Sequence, residues 1–145
     1  NSCQQKKNIV MIISKVVYSG ELRTIATHLS SSTEIFTDAP PDNQGKGEGF
    51  SPTDLMATAT ASCMLTIMGI AARTHNLPIE GTSVEVTKIM ASNPRRIAEI
   101  HCRLTIPPIN LDDKQKQILE NAARTCPVIL SLSEKIVKII EFTYL

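Results

Sequence analysis

From Leu55 to Ala72 the chain carries no charged residue, and no other stretch restricts its possible folds so strongly. Ser51 can cap the free amides of a first helical turn, Pro52 suits the first helical position, and Asp54 stands where a capping box places its acid. A helix is therefore predicted to begin here. At about 1.5 Å per residue the uncharged run spans roughly 27 Å, the diameter of a small domain. Gly69 and the hydroxyls of Thr58, Thr60, Ser62 and Thr66 make it a poor membrane span. The expectation is a central helix of a water-soluble core, buried on nearly all sides, with small residues from Ala57 to Ser62 admitting close neighbours. Cys63 ends that small-residue segment.

The remaining elements follow from periodicity. Ile9 to Tyr18 is dense in β-branched residues and stops at Ser19-Gly20, so a strand enters a turn there. Glu21 to Leu29 alternates and Thr33 to Thr37 is a short third strand, which together make an antiparallel meander. Residues 38–50 hold Pro40, Pro41, Gly45, Gly47 and Gly49 and read as a linking loop without a phosphate-binding signature. Asn76 and Pro78 close the central helix. Thr82 to Met90 and Ala98 to Ile106 then form a hairpin across Ser92-Asn93-Pro94-Arg95, with Cys102 on its core face and His101 on its wet face. Asn110 and Asp113 signal an amphipathic helix over Leu111 to Arg124, Pro127 opens a short helix over Val128 to Ser133, and Ile136 to Tyr144 closes the chain as a strand. The order is βββ-α-ββ-αα-β, an α+β domain with no βαβ repeat. Residues 1–7 form a polar tail and 8–145 a single domain.

Composition removes several function classes. Fifteen basic against fourteen acidic residues leave a net charge of +1, and aromatics make up 3%, so neither counterion release nor base stacking favours nucleic acid as a partner. The four cysteines form neither a disulfide framework nor a CxxC zinc pair, and His28, His75 and His101 have no ligand spacing, so no metal site is expected. A reducing compartment, the cytoplasm, suits such thiols. Each cysteine taken alone is more often an inert small hydrophobe than a reagent. Of the two on helices, Cys126 lies at a helix start, where the dipole favours a thiolate, whereas Cys63 lies in mid-helix and would keep its proton unless a cation faced it. Helix position alone nominates Cys126.

Phe50-Ser51-Pro52-Thr53-Asp54-Leu55-Met56-Ala57, Ala61-Ser62-Cys63-Met64 and Thr125-Cys126-Pro127-Val128 together resemble the OsmC/Ohr family of osmotically inducible and organic hydroperoxide resistance proteins. The likeness runs from about Ile9 to Leu145. It implies an intertwined homodimer in which sheets from both chains wrap the central helices, with active sites at the dimer interface. It also implies that Cys63 is the peroxide-reacting cysteine and Cys126 the resolving one, which reverses the nomination from helix position. The cycle implied is attack of Cys63 on an organic hydroperoxide, a Cys63 sulfenic acid, a Cys63–Cys126 disulfide, and reduction by an external lipoyl-like dithiol, with no bound cofactor. The family's arginine, which holds the thiolate, matches Arg23. Its peroxidases commonly place a glutamate directly after the helix-start proline to orient that arginine. Here Thr53 occupies that position, and Glu48 in the preceding loop is the candidate to stand in for it. Phe36, Phe50, Leu55, Met64 and Ile67 are candidates to line a substrate pocket. The alternative expectation is an OsmC-fold protein that binds a small apolar ligand at the dimer interface without efficient peroxidase turnover.

Overall fold

The structure, a computed structural model, describes residues 10–145. Its element order is the one expected from the sequence: β1 (Ser14–Gly20), β2 (Arg23–His28), β3 (Glu34–Asp38), α1 (Pro52–Thr74), β4 (Ser83–Ala91), β5 (Arg96–Ile106), α2 (Asp113–Arg124), α3 (Pro127–Ser131) and β6 (Val137–Tyr144). The expected tail and Ile9 lie outside the described residues. The chain divides into two compact units, one reaching to Pro52 and the other running from Thr53 to Leu145.

The first unit is an antiparallel sheet in the order β1-β2-β3. The first strand is shorter than its β-branched run suggests, because β2 pairs back only as far as Ser14 opposite His28. Apolar composition marks where a strand can form, and the length of the partner decides how much of it does. Val16, Val17, Tyr18, Ile35 and Phe36 are all exposed. Residues 39–50, expected to be a linker, are folded tightly. A 3-10 turn at Pro41–Asn43 is followed by backbone hydrogen bonds from Gly45 to Pro40 and from Gly47 to Ala39. A Cβ on Gly49 would stand 2.6 Å from the Phe36 ring, so only glycine lets the loop lie against β3 at this point.

In the second unit β4 and β5 pair antiparallel, and β6 joins β5 in parallel. The α2–α3 connection between β5 and β6 is thus a parallel crossover, where the sequence reading expected no βαβ unit. Parallel pairing cannot be reached by a hairpin, and the two helices supply the length it needs. Asp112, rather than Asn110, caps α2: its carboxylate accepts the Gln115 amide at 2.7 Å while its own amide donates to the Gln115 side chain at 3.0 Å. Asn76 adopts the left-handed conformation expected after α1.

Helix α1 is long and apolar enough to cross a membrane by length and composition alone, yet its fully buried residues form a stripe against a protein core. Ala57, Ala61, Met64, Met68 and Ala72 recur every three or four residues and join Ile100, Cys102, Leu104 and Ile106 of β5 with Leu119, Ala123 and Cys126. Among the described residues the burial on nearly all sides expected for α1 is not found, and Met56 and Ile70 are exposed. One sheet and two short helices can cover only one side of a cylinder. The apolar residues on its other faces have no cover from that core.

Candidate active site

In the second unit the core brings together two thiols that lie more than sixty residues apart in sequence. Cys63, half-buried, flanks the buried stripe of α1, and Cys126 is the fully buried N-cap of α3. Both are free, and Cys63 is among the neighbours that raise the Cys126 thiol. Burial raises Cys126 above the ordinary thiol range, partly opposed by the backbone N–H groups of Ile129 and Val128 and reinforced by Cys63. The nomination of Cys126 as thiolate from helix position alone is therefore corrected. A helix start of one turn supplies a few N–H groups, and full desolvation of the sulfur outweighs them. A protonated thiol beside Cys63 is suited to donate its proton and then bond to an oxidised sulfur.

Cys102, on the core face of β5 as expected, is pushed up to about 11 by burial, with the charge of Cys126 adding to the shift. The folded form therefore holds a proton that the unfolded thiol loses nearer pH 9, so the stability from burying neutral Cys102 is complete below that pH. It is lost as pH rises through about 11, by about 3 kcal/mol at most for this one group. Urea midpoints in reductant should fall between pH 8.5 and 11, as order-of-magnitude bounds, and fall less steeply in Cys102→Ala. Parallel curves for the two proteins would contradict this assignment.

The first unit holds Arg23. It faces Asp38 directly across the β2–β3 pair, and its Nε and Nη2 donate to the two carboxylate oxygens of Asp38, each at 2.7 Å. Nη2 also donates to Glu48 Oε2 at 3.0 Å, so the expected partner is in place, but as the second acid. Phe36, two residues from Asp38 and so on the same face of β3, lies under the guanidinium with its centroid 4.6 Å away. The backbone amide of Glu48 donates to Asp38 Oδ2 at 3.1 Å, and the amide of Asp38 donates to the carbonyl of Phe50 at 3.1 Å. These bonds fasten the loop to the strand end. The Arg23 guanidinium holds the Asp38 carboxyl well below the usual range, and the two acids hold Arg23 above its own. The sequence reading missed Asp38. Its signal was an acid at the last position of a strand, opposite the first position of the strand bearing the arginine.

Among the apolar candidates, Phe36 and Phe50 are exposed, Leu55 and Ile67 are partly buried, and Met64 is fully buried in the core. A cavity of about 520 Å³ in the second unit lies instead beside the later half of α1, lined by Leu65, Thr66, Gly69, Ile70 and Leu77 among others. Among the described residues no group of three His, Cys, Asp or Glu side chains could hold a metal ion.

A family model described as OsmC-like protein matches residues 45–141. The chain belongs to the OsmC-like family. It is similar to a protein of Psychrobacter arcticus 273-4 named for osmotic stress induction and a detoxification response, at 54% identity and a TM-score of 0.88, with 92% of this chain and 97% of that one covered. An OsmC-like protein from Mycoplasma pneumoniae shares 20% identity over 91% and 95% of the two chains, at a TM-score of 0.76. An organic hydroperoxide resistance protein from Elizabethkingia anophelis shares 14% over 96% and 99%, at 0.73. The last two are likenesses of fold. No curated protein matches the chain.

This OsmC-like chain uses Thr53, the residue in the expected glutamate position, in a contact of its own. Lys88 of β4 donates from Nζ to Thr53 Oγ1 at 2.8 Å and to Asp54 Oδ1 at 2.7 Å. A cation at a helix N-terminus opposes the macrodipole, and the Asp54 carboxylate offsets that.

Proposed function

We propose that this OsmC-like protein is a thiol-dependent peroxidase of organic hydroperoxides, working in the cytoplasm as a homodimer. The observation that carries the reading is the pair of free thiols, Cys63 and Cys126, which meet at one core at the motif positions that resemble the family's peroxide-reacting and resolving cysteines. The Cys63 thiolate attacks the terminal oxygen of the hydroperoxide, the O–O bond breaks, and the alkoxide takes up a proton to leave as the alcohol. Cys63 is then a sulfenic acid. The Cys126 sulfur displaces its hydroxyl, giving a Cys63–Cys126 disulfide and water. A lipoyl-like dithiol reduces the disulfide by two exchange steps and leaves as its own disulfide. In this reading Arg23 supplies the positive charge for the thiolate, with Glu48 among its acids, and Phe36, Phe50, Leu55, Met64 and Ile67 serve the apolar part of the substrate. The exposed apolar residues of β1, β3 and α1 support the homodimer, since a chain this size does not keep so many in water without a partner.

One stoichiometric dose of cumene hydroperoxide should remove two thiols per chain, and peptide mapping should place both in a Cys63–Cys126 disulfide. Loss of thiols at random, or no loss, would count against the peroxidase. The second reading, a fold-sharing protein that binds a small apolar ligand at the dimer interface without efficient turnover, is favoured by one observation. Thr53 stands in the glutamate position and contacts Lys88. An apolar molecule retained through purification, with thiols indifferent to peroxide, would select that reading.

A further inference from the structure

The cavity of about 520 Å³ beside the later half of α1 is of the size that small-molecule sites occupy. Leu65, Ile70, Leu77 and Ile79 give it apolar walls. Gly69 belongs to the same lining, and a Cβ built on it would meet nothing within 4 Å, so packing inside the chain does not call for glycine there. Glycine is a poor residue for a helix interior, and its effect at this position is to leave open space that a side chain would enter. The neutral polar groups around the cavity are already committed. Thr66 donates to the carbonyl of Ser62 at 2.9 Å and Thr82 to that of Ile79 at 2.6 Å, while the Leu77 amide closes the end of α1 on the carbonyl of Ala72 at 2.8 Å. Two charges are not. Among the described residues neither Arg73, in the last turn of α1, nor Glu80, on the loop before β4, has an ion pair or a side-chain hydrogen bond, and they do not pair with each other.

An apolar cavity with one uncommitted cation and one uncommitted anion complements a ligand that is itself apolar and carries both signs. A plain carboxylate would gain Arg73 and meet repulsion from Glu80, and a plain amine would meet the reverse. We propose that this cavity binds a free α-amino acid with a large apolar side chain. The side chain lies over Gly69 against the apolar walls, the carboxylate takes the planar fork of Arg73, and the ammonium faces Glu80. Neither Cys63 nor Cys126 lines the cavity, so amino-acid binding and peroxide reduction are separable.

Calorimetric titration of the full chain with L-phenylalanine is the test. Binding should saturate, and 3-phenylpropanoate and 2-phenylethylamine, which each lack one of the two charged groups, should bind at least about tenfold more weakly. Arg73→Gln and Glu80→Gln should each weaken L-phenylalanine about tenfold. Arg73→Gln should leave 2-phenylethylamine unaffected and Glu80→Gln should leave 3-phenylpropanoate no weaker, a pattern that general loss of structure would not give. Gly69→Leu should abolish binding by filling the cavity while keeping the wild-type circular dichroism spectrum, and the two charge variants serve if it does not fold. No saturable heat with L-phenylalanine, equal affinity for the three probes, or unchanged binding in folded Gly69→Leu would each overturn the site. A wild-type protein silent to all three probes, whose Gly69→Leu variant loses its oligomeric state, would overturn it in favour of a second copy of the chain as the occupant.

Discussion

A Cys63→Ser protein should reduce organic hydroperoxides no faster than solvent does, while remaining folded. A serine hydroxyl beside Cys126 is neither ionised near neutral pH nor able to accept the peroxide oxygen and pass it on as water, so the cycle has no first step. The partner variant behaves differently. Cys126→Ser should consume one equivalent of hydroperoxide, then stop with Cys63 as a sulfenic acid that a cyclic diketone such as dimedone traps. Cys102, 2% exposed and pushed up to about 11, is the internal control, since a thiol so buried and protonated should resist oxidation. If Cys63 and Cys102 reacted at equal rates, the site would have no claim to selectivity and the peroxidase reading would fall. Turnover at the wild-type rate in Cys63→Ser would do the same.

Leu104→Ala should destabilise the fold by about 2–5 kcal/mol, a large part of the roughly 5–15 kcal/mol that holds a typical domain together. Leu104 is fully buried towards the end of β5, between Val84 of β4 and Phe142 of β6, on the sheet face that shares its core with Met64 and Met68 of α1. Three neighbouring strands and a helix that lies across them cannot collapse into the space left by the missing carbons, so the cavity cost adds to the lost transfer energy. Leu130→Ala, at a residue 71% exposed, should stay within about 0.5 kcal/mol of wild type. Urea midpoints with unchanged slopes would measure both. Equal effects at the two positions would mean that the second sheet and α1 do not share a core.

The two thiols show how far a sequence can be read. Cys63 and Cys126 were found from their motif neighbours, and helix position applied to Cys126 alone favoured a thiolate that its burial disfavours. Helix-start chemistry is a short-range argument, whereas the desolvation that raises Cys126 comes from α1, β5 and α2 assembling around it. Asp38 shows the complementary limit. Arg23 was singled out because its strand had no clean apolar face, but its partner could be named only once register placed the two directly opposite each other. A one-residue slip would have turned Asp38 to the other side of the sheet.

The sequence by itself determined the order of elements, the two kinds of helix and the family, because an uncharged run behind Ser51-Pro52, strict alternation in β5 and a cysteine before Pro127 are local patterns with local physical causes. Only the tertiary structure decided that β6 runs parallel to β5, that residues 39–50 fold onto β3 as more than a linker, and that Asp38 holds Arg23 by two bonds. Each of those depends on which distant segment arrives alongside. Hydrogen-bond register and desolvation are properties of the assembled neighbours, and no single stretch of chain contains them.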